Sequence, residues 1–87
     1  MPAKRKEENV EAERELLIKL GAKFKLVREE KKLSLEKLGK IIGKDRQSIH
    51  RFERGEFNPS YLYLVELCKG LEINIGEILK EANNETL

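Results

Sequence analysis

From Leu16 onward the apolar residues of this chain recur at helical spacing. Leu20, Phe24 and Val27 fall within about 60° of one another at 100° per residue, and Leu17 joins their stripe. The pattern predicts a first helix from Leu16 to about Lys32, with Lys31 and Lys32 suited to the negative end of its dipole. Ser34 offers an N-cap for a second helix, Leu35 to Ile42, in which Leu38 and Ile42 share a face and Gly43 supplies the stop. Asp45 caps a third helix, Arg46 to Arg54, whose Ile49 and Phe52 point inward and which Gly55 closes. Asn58, Pro59 and Ser60 form a turn and a cap. A fourth helix then runs from Tyr61 to about Leu71, burying Leu64, Leu67, Cys68 and Leu71. Asn74, with Glu77 three residues later, opens a fifth helix in a capping-box-like arrangement, and Ile75, Ile78 and Leu79 are its apolar face. The expected fold is all-α, five short helices joined by tight connections.

Eighty-seven residues make one domain with a single shared core. Residues 1–10 are expected to be a flexible N-terminal tail, 11–82 the folded domain and 83–87 a flexible C-terminal tail. Within residues 1–15 Val10 is the only large aliphatic after Met1. The longest apolar run is Tyr61 to Val65, far short of the ~20 residues of a membrane span. Lys4, Arg5 and Lys6 are followed by acids instead of the hydrophobic middle of a secretory signal, so the expected compartment is the cytoplasm. Cys68 has no second cysteine to pair with, and His50 stands alone, so neither a disulfide framework nor a metal-ligand cluster is expected. Asp45, Ser48 and His50 share one short segment whose helix geometry does not aim them at a common substrate atom. The chain therefore does not read as an enzyme, and no cofactor is implied.

The small net charge of +2 conceals a polarised molecule. Residues 1–55 carry 16 Lys/Arg against 10 Asp/Glu, whereas residues 56–87 carry 2 against 6. That division suits one face toward a polyanion and another toward solvent or a partner.

The informative unit is helix 2, the turn at Gly43 and helix 3, because two short helices meeting steeply need particular residues at particular places. Gly39 supplies the small residue where they touch. In a helix interior glycine costs about 1 kcal/mol relative to alanine, so its presence asks for a packing reason. Leu38, Ile42, Ile49 and Phe52 supply the wedge of core between the helices. With LGAKFKLVREEKKLS for helix 1, LEKLGKIIGKDRQSIHRFERG for the motif and NPSYLYLVELCKGLEINIGEIL for helices 4 and 5, residues 20–79 resemble the lambda-repressor-like, or Cro-like, helix-turn-helix family of XRE-type transcriptional regulators. The resemblance implies a compact five-helix DNA-binding domain. Two positions depart from its pattern: Leu35 stands where many members have a phosphate-touching glutamine, and Lys44 stands where an apolar residue usually follows the turn.

Helix 3 can also be read by angle. With Ile49 and Phe52 inward, Gln47, Arg51 and Arg54 lie almost opposite them, and His50 lies nearby. Arg46 belongs to the first turn, the end a recognition helix presents to base edges. Arginine can grip guanine O6 and N7, and glutamine adenine N6 and N7, with two hydrogen bonds each. The resemblance implies the same base-reading positions for Arg46, Gln47 and Arg51, with His50 beside them. The plainer reading is a solvated polar face with His50 an ordinary neutral imidazole. Phosphate contacts are expected from Lys37, Lys44, Ser48 and Arg54, and from the helix starts at Leu35 and at Ser60 and Tyr61. Glu53 lies about 70° from the core direction of helix 3, too close for an idle carboxylate, and Arg28 flanks the helix 1 stripe by a similar angle. The resemblance implies that these two form an ion pair at the edge of the interior.

The function that follows is a DNA-binding regulator, a repressor or autoregulator, bound to a palindromic double-stranded operator as a homodimer whose recognition helices sit about 34 Å apart. Dimerisation is expected through helix 5 and the loop before it, with Ile75 and Leu79. The alternative is an antitoxin or adaptor that uses the same fold to hold a protein partner such as a toxin; a restriction-modification controller is a subtype of the first reading. Cys68 is expected to be a small core residue, Tyr61 and Tyr63 core-edge side chains, and Ile18 and Leu26 outward-facing.

Overall fold

The computed structural model describes residues 7–84. Five helices follow one another: α1 (Glu7–Glu30), α2 (Leu35–Ile42), α3 (Arg46–Glu53), α4 (Tyr61–Leu71) and α5 (Ile75–Asn84). Among the described residues there is no strand.

The starts of α2 to α5 are each closed by the side chain that the pattern places there. Ser34 Oγ accepts from the Lys37 amide at 3.0 Å, Asp45 Oδ1 from Gln47 at 3.3 Å, Ser60 Oγ from Tyr63 at 3.0 Å and Asn74 Oδ1 from Glu77 at 2.9 Å. These bonds satisfy amides that the helices themselves leave without partners. Gly43 ends α2 in the left-handed region at φ 70°, and its amide returns to the Gly39 carbonyl.

The core is one cluster: Phe24 from α1, Leu38 from α2, Ile49 and Phe52 from α3, Leu67, Cys68 and Leu71 from α4, and Ile78 from α5. Leu20, Val27, Ile42, Leu64, Ile75 and Leu79 pack around it, half-buried. Phe24 and Phe52 meet edge to face, with ring centroids 5.2 Å apart. Gly39 has the packing reason its presence asks for: a Cβ there would stand 2.6 Å from the Lys44 carbonyl oxygen. Gly21 does the same for the crossing of α1 and α3, where a Cβ would collide with the Phe52 carbonyl.

The differences from expectation lie mostly in α1. It begins at Glu7 instead of Leu16, so residues 7–10 of the expected tail are helical, and residues 1–6 lie outside the described residues. Glu, Ala and Arg dominate this stretch and favour helix, and residues 9–15 are exposed, so no apolar period marks it. At its other end α1 stops at Glu30, because Lys32 turns left-handed (φ 60°) and the Leu33 amide returns to the Arg28 carbonyl at 3.2 Å. That turn brings Leu33 against the core. Helix α3 ends at Glu53, with Arg54 as its cap. Residues 83 and 84 of the expected C-terminal tail belong to α5, and 85–87 lie outside the described residues. Tyr61 is not a core-edge residue: it is 67% exposed, whereas Tyr63 packs on the core. Ile18 and Leu26 face outward as expected.

Candidate nucleic-acid interface

Three inward side chains, Ile49, Phe52 and Glu53, are buried and fix the rotation of α3 about its axis. The opposite face then carries Arg46, Gln47, His50 and Arg51, all exposed, with Arg54 exposed at the cap. Every side chain named for base reading thus stands on one solvent face of a helix that is locked from behind. Arg46 and Gln47 occupy the first turn, immediately after the Asp45 cap.

The Arg28 and Glu53 side chains are joined deep at the α1–α3 contact. Arg28 Nε donates to Glu53 Oε2 at 2.7 Å and Nη2 donates to Oε1 at 3.1 Å. Arg28 Nη1 donates to the Leu33 carbonyl at 2.7 Å, so the same guanidinium also closes the turn after α1. Both residues are more than nine-tenths buried.

The named phosphate residues divide into two groups. Lys37, Arg54, Ser60 and Tyr61 are exposed. Leu35 is half-buried against the core, so it can meet an anion only through its backbone amide. Lys44 does not swing outward. Its ammonium lies 2.7 Å from Glu66 Oε1 and 5.0 Å from the centre of the Tyr63 ring. Ser48 Oγ shares a hydrogen bond of 2.9 Å with the Tyr63 hydroxyl. Lys44 and Ser48 therefore serve first as ties between the helix-turn-helix and the first two turns of α4. Arg54 is balanced by Glu56 at 2.9 Å, and Arg51 lies 3.8 Å from the same carboxylate with its guanidinium carbon 5.7 Å from the centre of the Phe57 ring.

Tyr63 is the residue that the sequence reading undervalued. Its ring contacts Phe52 and Phe57, its hydroxyl holds Ser48 and its face carries Lys44. Burial raises its pKa above the ordinary 10.0, and the Ser48 hydrogen bond and the Lys44 charge oppose that shift. Its position four residues after Pro59 gives no hint of these partners, which all lie elsewhere in the chain. Cys68 is buried, and burial raises its thiol pKa, which disfavours the reactive thiolate. Among the described residues no group of three His, Cys, Asp or Glu could hold a metal, and no helix is long and apolar enough to cross a membrane.

The arrangement has recognisable relatives. The helix-turn-helix family model matches residues 24–78. The "Uncharacterized HTH-type transcriptional regulator YgzD" of Bacillus subtilis (strain 168) is 35% identical over 52 residues, spanning 58% of this chain and 79% of that protein. Among solved structures, the restriction-modification controller protein C.AhdI of Aeromonas hydrophila superposes with a TM-score of 0.69 at 34% identity, covering 71% of this chain and 94% of the other. The clp gene regulator ClgR of C. glutamicum superposes with a TM-score of 0.77 at 25% identity, covering 83% and 94%. With the capped helix pair, the outward polar face of α3 and these matches together, the chain belongs to the Cro-like, XRE-type helix-turn-helix family of DNA-binding transcriptional regulators.

Proposed function

We propose that this regulator binds a palindromic double-stranded operator as a homodimer in the cytoplasm, without catalysis or a cofactor, and represses or autoregulates transcription. The observation that carries the reading is the face of α3, where Arg46, Gln47, His50 and Arg51 are exposed together while Ile49, Phe52 and Glu53 lock the helix behind them. Arg46 and Gln47, in the first turn, read base edges, and Arg51 and His50 extend the same surface. Lys37, Arg54, Tyr61 and the amides opening α2 and α4 hold phosphates and set register. Arg54 must exchange Glu56 for phosphate, an exposed pair whose loss costs little. The likeness to C.AhdI makes a restriction-modification controller one specific form of this reading.

The test is selection of an operator from genomic fragments, followed by anisotropy titrations of operator and scrambled duplexes. Arg46→Ala and Gln47→Ala are each expected to weaken operator binding by about 1–3 kcal/mol while the melting temperature stays unchanged. Variants that bind like the wild type would remove base reading from these side chains. Weak and equal affinity for both duplexes at moderate salt would favour the antitoxin or adaptor reading, in which the same fold chiefly holds a protein partner.

A further inference from the structure

Arg51 differs from its neighbours on the outward face of α3. Among the described residues the side chains of Arg46, Gln47 and His50 make no ion pair or hydrogen bond, whereas the guanidinium of Arg51 is held by two neighbours. Its central carbon lies 5.7 Å from the centre of the Phe57 ring, within the range in which a cation is drawn to an aromatic face, and its Nε lies 3.8 Å from Glu56 Oε1. Neither terminal nitrogen donates a hydrogen bond among the described residues. Both remain available for guanine O6 and N7.

The two supports are themselves fixed. The Glu56 amide donates to the Arg51 carbonyl at 3.0 Å and the Gly55 amide to the Phe52 carbonyl at 2.9 Å, so the chain folds back over the last turn of α3. Gly55 permits this at φ 76°, where a Cβ would stand 2.7 Å from Ile18 Cα on α1. The Phe57 ring is half-buried against Phe52 and Tyr63, with centroids 6.1 and 5.4 Å away, so it cannot follow Arg51 as the guanidinium moves. Glu56 spans two arginines, with Oε2 on Arg54 at 2.9 Å and Oε1 toward Arg51. When Arg54 leaves for a phosphate, the carboxylate still faces Arg51.

A free arginine on an exposed helix face spreads over many rotamers, and a base contact must first collect it into one. Ordering it beforehand strengthens binding to the right base pair without adding a contact. A guanidinium that is held also does not swing to a neighbouring base, so order becomes selectivity. We infer that Phe57 and Glu56 are positioning residues that fix Arg51 for one base pair and so set specificity there. This deepens the base-reading role of Arg51 and rests on it.

The experiment uses the full chain, the operator selected from genomic fragments and a panel of duplexes carrying every single base-pair change in it. Arg51→Ala identifies the base pair that Arg51 reads, as the position where preference collapses. Phe57→Leu, which keeps an apolar side chain but no aromatic face, should lower preference at that position about two- to fivefold and nowhere else, with the salt slope unchanged. Phe57→Tyr, which keeps the ring, should stay within about twofold of wild type. Glu56→Gln should lower the same preference and raise affinity for scrambled duplex, because Arg54 is freed for phosphate. In the DNA-free protein the heteronuclear NOE of the Arg51 Nε–H should exceed that of Arg46 and fall to its level in Phe57→Leu. Unchanged Arg51 order or unchanged preference in Phe57→Leu would overturn the positioning role and leave base reading by Arg51 standing. So would a loss spread evenly over all positions, which marks a general loosening of the fold. Arg51→Ala without effect at any base pair would overturn both.

Discussion

Replacing Glu53 by alanine removes the carboxylate paired with Arg28, and the geometry sets the size of the effect. Arg28 and Glu53 retain 7% and 5% of their exposure, and two hydrogen bonds of 2.7 and 3.1 Å join them. In Glu53→Ala the guanidinium keeps only the Leu33 carbonyl, at 2.7 Å, and remains charged in the interior. Breaking a buried pair from one side typically costs about 3–5 kcal/mol, because the surviving charge is left uncompensated. Small domains have a total stability of only about 5–15 kcal/mol, so the variant should lie near the edge of folding. For a domain of this size each kcal/mol moves the melting temperature by roughly 4–8 °C, so a fall of at least about 12 °C is expected. Urea unfolding followed by circular dichroism measures the loss directly. The double variant Arg28→Met/Glu53→Leu should cost much less than the two single changes added together, since no charge is stranded. Affinity for operator, corrected for the folded fraction, should not change. A Glu53→Ala loss below about 1 kcal/mol, or strict additivity in the double variant, would refute the view that this pair is an interior electrostatic unit.

Three further expectations concern the motif. Gly39→Ala should destabilise despite alanine's helix advantage of about 1 kcal/mol, because its methyl would stand 2.6 Å from the Lys44 carbonyl; a stabilised variant in thermal melts would disprove the close contact. Tyr63→Phe should cost about 0.5–1.5 kcal/mol at neutral pH by removing the Ser48 hydrogen bond. Because the Tyr63 pKa is raised in the fold, its phenol contributes stability that is fully present below the ordinary value of 10.0 and lost as pH rises through the folded value. The variant should therefore lose less stability than wild type between neutral and strongly alkaline pH, and equal alkaline losses in the two proteins would contradict this. In salt titrations of operator affinity, Lys37→Ala should flatten the slope by roughly one to two units per dimer, whereas Lys44→Ala, whose ammonium is held by Glu66, should change it little. The reverse ranking would show that Lys44 leaves Glu66 for phosphate.

Local signals carried much of this protein in its sequence. Ser34, Asp45, Ser60 and Asn74 mark their helix starts because a cap acts within three residues, and Gly43 marks a stop for the same reason. The outward face of α3 follows from Ile49 and Phe52 alone, since helical angle is a property of the chain itself. The helical residues before Leu16 were not legible, because periodicity reports burial and residues 9–15 are exposed. Angle placed Arg28 and Glu53 at the edge of the core, but only family resemblance joined them, and the additional bond to Leu33 needed coordinates. The tertiary structure alone decided that Lys44 turns to Glu66 and Tyr63, that Ser48 is tied to Tyr63 and that Glu56 stands between Arg51 and Arg54. Side-chain charge and reach are visible in a sequence, but the direction in which a long polar side chain spends them depends on neighbours that packing supplies. For Lys44 the neighbour is 22 residues away, on a helix that folding brings alongside.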